Sequence, residues 1–216
     1  MISNPKQPSH ATAKNASGDK PATADDADFP ILTIGHSTRP IDDFIALLTA
    51  HGVRRLLDVR TVPRSRHNPQ FNTDALPPVL EAAGIAYEHV KGLGGFRHAR
   101  ADSPNAGWRN LSFRGYADYM QTPEFAAELA ALMERAQRER VALMCAEAVP
   151  WRCHRSLIAD ALLVQGVPSA EIVSATRLQA HGLTSFAHVE GGALSYPPGE
   201  ADDKNEAGEE GSGGGA

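Results

Sequence analysis

Cysteine is scarce in this sequence: Cys145 and Cys153 are its only thiols among 216 residues. Two cysteines exclude a disulfide framework and suit a reducing compartment, so a cytoplasmic location is expected. Long apolar runs are missing as well. No stretch approaches the roughly 18 residues of a membrane span, so no membrane partner is expected. The opening MISNPKQPSHATAKNASGDKPATADDAD has no apolar h-region, which argues against a signal peptide. Between residues 29 and 198 lysine is almost absent, with Lys91 alone against sixteen arginines. The formal net charge is −5, which argues against a globally basic nucleic-acid binder. No internal repeat stands out.

The composition divides the chain. Residues 1–28 and the acidic, glycine-rich 199–216 hold too little apolar surface to offset the entropy of ordering, so both are expected to be disordered tails. Residues 29–198 are then one domain, with sixteen arginines and Lys91 against sixteen acids for a net charge of +1. The C-terminal tail sets Lys204 against six acids, so the overall negative charge says little about the core.

Within the core, short apolar runs alternate with helical patterns. ILTI (31–34), RLLDV (55–59), IAYEHV (85–90), VALM (141–144) and EIVSA (171–175) read as strands. PIDDFIALLTAHG (40–52) places Ile41, Phe44, Ile45 and Leu48 on one helical face and stops at Gly52. TDALPPVLEAAG (73–84) reads as a helix capped by Thr73 or Asp74. FRGYADYMQ and TPEFAAELAALMERAQRER read as two more, the second capped by Thr122 with Pro123 at its first position. WRCHRSLIADALLVQG (151–166) reads as the last helix. The expected fold is α/β: a single three-layer domain with a mainly parallel sheet of about five strands. Residues 176–198 carry no pattern that assigns them.

In such sheets ligands bind beyond the carboxyl ends of the strands. Polar groups gather there in four separate segments. Strand one is followed by His36, Ser37 and Arg39. Strand two ends in Asp58 and Arg60, and VPRSR adds Arg64, Ser65 and Arg66. Strand three leads to Lys91, Gly94, Gly95 and Arg97. Strand four leads into CAEAVPWRCHRSLIAD, with Cys145, Glu147, Arg152, Cys153, His154 and Arg155.

The motifs TIGHST, LLDVRTVPRSR, FNTDAL, GIAYEHVKGLGG and CAEAVPWRCHRSLIAD resemble, in that order, the bacterial family catalogued as the domain of unknown function DUF488. The resemblance spans about 31–175. It implies a cytoplasmic α/β domain and very little about reaction. Residues matching its motifs include His36, Ser37, Asp58, Arg60, Pro63, Ser65, Arg66, Gly94, Gly95, Cys145, Glu147, Pro150, Cys153, His154 and Arg155.

Read for chemistry, Glu147, Cys153 and His154 are the candidate catalytic groups, and His36, Ser37, Arg60, Arg66, Gly94, Gly95, Arg152 and Arg155 the candidate anion-binding ones. Asp58, Pro63 and Pro150 are assigned structural roles, Asp58 as partner of Arg60. Arg60, Arg66 and Arg155 are expected to face one crevice. Arg152, Cys153, His154 and Arg155 are expected on the first turn of the last helix, where unpaired N–H groups favour anions and lower a thiol pKa. Glu147 is expected to be held by an arginine or by His154. Cys145, Cys153, His154 and His36 are also metal-ligating types, but their spacing matches no zinc pattern, and adjacent helical residues point about 100° apart, so no metal is assigned. No cofactor or oligomeric state can be read. The long 91–110 loop, with Trp108 among arginines, is either a binding lid or a mobile surface loop.

Two functions stay open. One is an enzyme acting on a nucleotide or other phosphorylated small molecule. The other is a non-catalytic module binding nucleotide or nucleic acid in the same arginine-rich crevice, with a Cys/His metal-binding protein as a further alternative. Steep salt dependence of nucleic-acid binding would mark the module.

Overall fold

The computed structural model describes residues 30–199. The expected disordered tails fall outside these residues, except for Gly199. A six-stranded sheet runs β3-β2-β4-β1-β5-β6. Its strands are β1 (Ile31–Gly35), β2 (Arg55–Asp58), β3 (Ala86–His89), β4 (Val141–Cys145), β5 (Ser169–Ser174) and β6 (Arg177–Ala180). All pair in parallel except β6, which returns antiparallel on β5. The α/β expectation holds, with one strand more than expected.

Burial explains the strand patterns. β1 and β4 are buried along their whole length, as central strands covered on both faces must be, and their sequences are apolar almost without alternation. Helices α1 (Ile41–Ala50) and α2 (Leu76–Ala82) cover one face, packing Phe44, Leu48, Leu76 and Leu80 against Leu32, Ile34, Ala142 and Met144. Helices α3 (Leu111–Tyr119), α4 (Pro123–Arg138) and α5 (Arg155–Val164) cover the other. There Tyr116, Phe125, Leu157 and Leu162 meet Ile31, Leu57, Leu143 and Cys145.

Local chemistry sets the helix starts. Thr122 Oγ1 accepts from the Phe125 amide, with Pro123 at the first helical position. Asn110 Oδ1 accepts from Ser112 and Phe113 and starts α3 two residues earlier than its apolar pattern shows. The expected cap at Thr73 or Asp74 is not used. α2 begins at Leu76 behind Ala75, which offers no side-chain cap, because a short 3-10 turn at Pro69–Phe71 and the turn after it occupy the approach. The last helix also starts late. Pro150–Arg152 form a separate 3-10 turn, Cys153 is extended, and α5 begins at Arg155.

Residues 176–198, unassigned from sequence, hold β6 and a hairpin of β7 (His188–Glu190) and β8 (Ala193–Ser195). The buried Asp160 of α5 fastens this segment. It accepts from His181 Nε2 at 2.7 Å, from the Thr184 amide at 3.0 Å and hydroxyl at 2.6 Å, and from Tyr196 Oη at 2.8 Å. The 91–110 loop is tied to the same segment: buried Asn105 donates to Asp118 Oδ1 and accepts from the Tyr196 amide. Removing four accepted bonds with Asp160→Ala should free residues 181–196 locally. We expect their amides to exchange roughly ten to a hundred times faster, a local loss of about 1–3 kcal/mol. Unchanged protection there would show that Asp160 is not the fastening.

Candidate functional site

The connections leave β1 and β4 in opposite directions along the sheet: the chain passes from β1 toward β2, and from β4 toward β5. A crevice opens where neighbouring strands part in this way. Gly35 and Cys145 are paired across it. The His36 amide donates to Cys145 O and the Ser37 amide to Ala146 O, which extends the pairing into the loops. Gly35 has no tolerance for a side chain, because a Cβ there would overlap the Glu147 carbonyl oxygen. Ser37 turns the chain with φ at 49°, a left-handed conformation that few non-glycine residues adopt.

A cavity of about 460 Å³ fills the crevice, with Cys145, Cys153, His154, His36 and Arg60 in its wall and Arg64 and Arg152 exposed at its edge. At its base, Cys153 Sγ lies 3.7 Å from His154 Nδ1, and His154 Nε2 donates to Val59 O at 2.9 Å. That bond fixes the tautomer: Nε2 carries the hydrogen, and Nδ1 is left to take the thiol proton. Cys145, 7% exposed, lies beside Cys153, 3% exposed, with the two sulfurs within 4.8 Å of each other. The neighbouring Cys145 thiol, aided by His154 and by the positive field of Arg155, holds the Cys153 thiol well below its usual range. The Cys153 sulfur, together with burial, pushes the Cys145 thiol up. The two thiols are therefore shifted in opposite directions as one coupled pair, Cys153 down and Cys145 up.

Gly95 lets the 91–110 loop lie flat against this group. A Cβ there would stand 2.5 Å from His154 Nδ1. We expect Gly95→Ala to displace the imidazole and slow alkylation of Cys153 at pH 7 by about tenfold, since much of the thiolate is lost. An unchanged rate would mean that His154 does not support the thiolate.

Behind the cavity, Asp58 and Arg60 form a buried pair. Arg60 Nε donates to Asp58 Oδ1 at 2.9 Å, and Nη2 donates to Asp58 Oδ2 and to Phe71 O, both at 2.6 Å. Arg60 Nη1 lies 3.2 Å from His36 Nε2. His36 Nδ1 donates to Ser37 O at 2.8 Å, so Nε2 is the acceptor, and the ring stacks on Phe71 at 4.2 Å. Burial, with the Arg60 charge adding to it, lowers the His36 pKa to about 4 and keeps the ring neutral.

Three expected arrangements need correction. Arg60, Arg66 and Arg155 do not share a crevice. Arg60 is held by Asp58, Arg66 is exposed away from the cavity, and Arg155 is fully buried. Arg155 Nη1 donates to Glu171, and Nη2 donates to Glu147 O at 2.9 Å. Its Nε is buried without a hydrogen-bond partner, and the guanidinium charge favours the ionised form of the Cys153 thiol. Second, Cys153 is not on the first helical turn, and its amide is already bonded to Pro150 O. Its thiol is lowered by side-chain donors rather than by unpaired helix amides. Third, Cys153 and His154 do not diverge as neighbouring residues on a helix would. With Cys153 extended, the ligand atoms of Cys145, Cys153 and His154 lie within 4.8 Å of one another.

Ser37, Gly94 and Arg66 stay outside the cavity wall, whereas His36, Arg60, Gly95, Arg152, Glu147, Cys153 and His154 line it. The Glu147 side chain is exposed there, and among the described residues neither an arginine nor His154 holds its carboxylate, contrary to expectation. Pro63 is half-buried in the loop after β2, and Pro150 opens the 3-10 turn before Cys153. The sequence reading missed Glu171 and the Val59 carbonyl. Both act from other strands, and no local pattern marks a residue as the partner of a side chain more than ten positions away. Asn110, Ser112 and Phe113 also line the cavity, brought there by the fold of the long loop. Among the described residues, no helix is long and apolar enough to cross a membrane.

No curated protein and no solved structure matches the chain. The family model described as "Domain of unknown function DUF488" matches residues 40–162, from the start of α1 into α5. That span covers more than half of the 216 residues and includes Asp58, Arg60, Gly95 and the whole Cys145–Arg155 loop: the chain belongs to the DUF488 family.

Proposed function

We propose that this protein is a thiol-dependent enzyme acting on a small anionic substrate, such as a nucleotide or other phosphorylated compound, with Cys153 as its nucleophile. The observation that carries this reading is the setting of Cys153. Its sulfur meets the Cys145 thiol, the open nitrogen of His154 and the Arg155 guanidinium inside a cavity of about 460 Å³. A thiolate attacks where a thiol does not. The Cys153 sulfur forms the new bond to the electrophilic centre, and the leaving group departs with the proton held on His154 Nδ1. Arg64 and Arg152, exposed at the cavity edge, supply charge for the anionic part of the substrate. Arg155 supports the sulfur rather than the substrate. A reducing cytoplasm would keep both thiols in the state this chemistry needs.

Iodoacetamide tests the reading. Cys153 should react faster than Cys145, with a pH profile whose midpoint lies below the free value of about 8.5. Inorganic phosphate should protect it, and Arg152→Ala should weaken that protection about 10- to 150-fold in apparent affinity, the scale of one charge-assisted hydrogen bond. Equal, slow labelling of both thiols at every pH would overturn it.

A second reading, a Cys2His metal centre, is favoured by the approach of the three ligand atoms. The residue types suit zinc, the cavity leaves a coordination position open, and His154 Nε2 on Val59 O is the outer bond that zinc-ligating histidines make. Zinc that binds tightly and blocks alkylation of both cysteines would decide for it. Binding of nucleic acid that collapses with salt, without thiol dependence, would instead favour the non-catalytic module.

A further inference from the structure

The proposed nucleophile has a second thiol beside it, within 4.8 Å, and attack by Cys153 alone gives that neighbour no task. Cys145 ends β4, and Cys153 follows a turn and loop whose residues 146–148 are exposed. Both sulfurs sit in the wall of one cavity, within 4.8 Å of each other. They are the chain's only cysteines, so no competing thiol lies elsewhere in the molecule. The cysteines are nearly buried, which bars a bulky protein disulfide and admits a small oxidant through the cavity.

We propose that Cys145 and Cys153 form a reversible two-electron couple, in which Cys153 reduces a small peroxide and Cys145 resolves the product as an intramolecular disulfide. In the first step the Cys153 thiolate attacks one peroxide oxygen. An S–O bond forms, the O–O bond breaks, and the leaving alkoxide or hydroxide takes the proton from His154 Nδ1. Cys153 becomes a sulfenic acid and the peroxide an alcohol or water. In the second step the Cys145 sulfur attacks the sulfenic sulfur. The S–S bond forms, the S–O bond breaks, and the hydroxyl leaves as water with the Cys145 proton. The sulfurs close to about 2.05 Å, the length of a disulfide, through side-chain rotation and movement of the 146–152 loop. A dithiol reductant returns the pair to its starting state. The buried Arg155 beside the sulfur stabilises the attacking charge.

The inference rests on the nucleophilic reading of Cys153 and is tested apart from it. Reduced full-length protein is treated with one equivalent of hydrogen peroxide at pH 7. Thiols are counted under denaturing conditions, and the intact mass is measured. We expect both thiols to disappear together, the mass to fall by two hydrogens, and dithiothreitol to restore them. The rate should exceed that of the denatured chain by about 30-fold, the gain from converting a thiol of ordinary pKa fully to thiolate at pH 7. Cys145→Ser should instead give a sulfenic acid on Cys153 that dimedone traps. If that variant does not fold, peptide mapping of the oxidised wild type reports the same bond directly. Fast iodoacetamide labelling of Cys153 with peroxide consumption no faster than in the denatured chain would overturn the couple and leave the nucleophile standing. Oxidation that yields only mixed intermolecular disulfides would overturn it too. Slow labelling by both reagents would remove the nucleophilic reading itself.

Discussion

Replacing Asp58 by Ala should lower the unfolding free energy by about 3–5 kcal/mol, because it leaves the Arg60 charge buried without its counter-ion. Asp58 is fully buried and Arg60 is 6% exposed, so water cannot replace the lost partner. The carboxylate accepts from Arg60 Nε, Arg60 Nη2, the Arg60 amide and Tyr87 Oη. All four donors lose this acceptor, Arg60 Nη2 keeping only Phe71 O, and a bond to a charged group counts for more than a neutral one. Urea denaturation measures the effect as a fall in the midpoint at unchanged slope. The double substitution Asp58→Ala with Arg60→Met should recover part of the loss, since no unpaired charge remains. A single-variant loss under 1 kcal/mol would show that solvent reaches the pair and that it does not brace the cavity wall.

Acid should cost the fold about 3 kcal/mol through His36 alone. In the folded chain this ring stays neutral down to about pH 4, while an unfolded histidine takes a proton near 6.5. The folded value is the lower of the two. The contribution is therefore fully present above about pH 6.5 and is lost as pH falls from there toward 4, because the unfolded state binds the proton first. The physical cause is burial against Phe71, with the Arg60 guanidinium adding to it. His36→Asn keeps an amide to donate to Ser37 O and removes the titration. We expect the variant to be less stable at pH 7 but to lose markedly less than the wild type between pH 7 and pH 4.5. The difference between the two profiles isolates His36 from the carboxylates that also titrate there. Parallel profiles would mean that the ring is solvated and charged in the native state.

These two expectations concern one bonded row, Asp58–Arg60–His36, that stands behind the cysteines. The row uses the charge of Arg60 internally. This leaves Arg64 and Arg152 as the exposed arginines at the cavity edge, while the positive field on the Cys153 sulfur comes from Arg155.

Much of this was legible from the sequence itself. The order of strands and helices followed from the alternation of apolar runs with helical periodicity, and the parallel sheet followed from that order. Once the sheet was parallel, residues after β1, β2 and β4 had to lie along one edge. His36, Arg60, Cys153 and His154 belong to that edge on sequence order alone. The family was legible too, because its motifs lie in those same turns. What only the tertiary structure decided was which of the collected groups face one another. Arg155 looked like an anion ligand because a helix start and a positive charge are both local features. Its burial against Glu171 is a contact across sixteen residues and two elements, and no local pattern encodes it. Cys153 looked helical because the apolar period of α5 extends back over it. Pro150–Arg152 closed a separate turn instead, left Cys153 extended, and so brought its sulfur to Cys145 and His154. Helical propensity is a small local preference, and it gave way to the packing of the loop against β1, where Gly35 leaves room for the Glu147 carbonyl and for nothing larger.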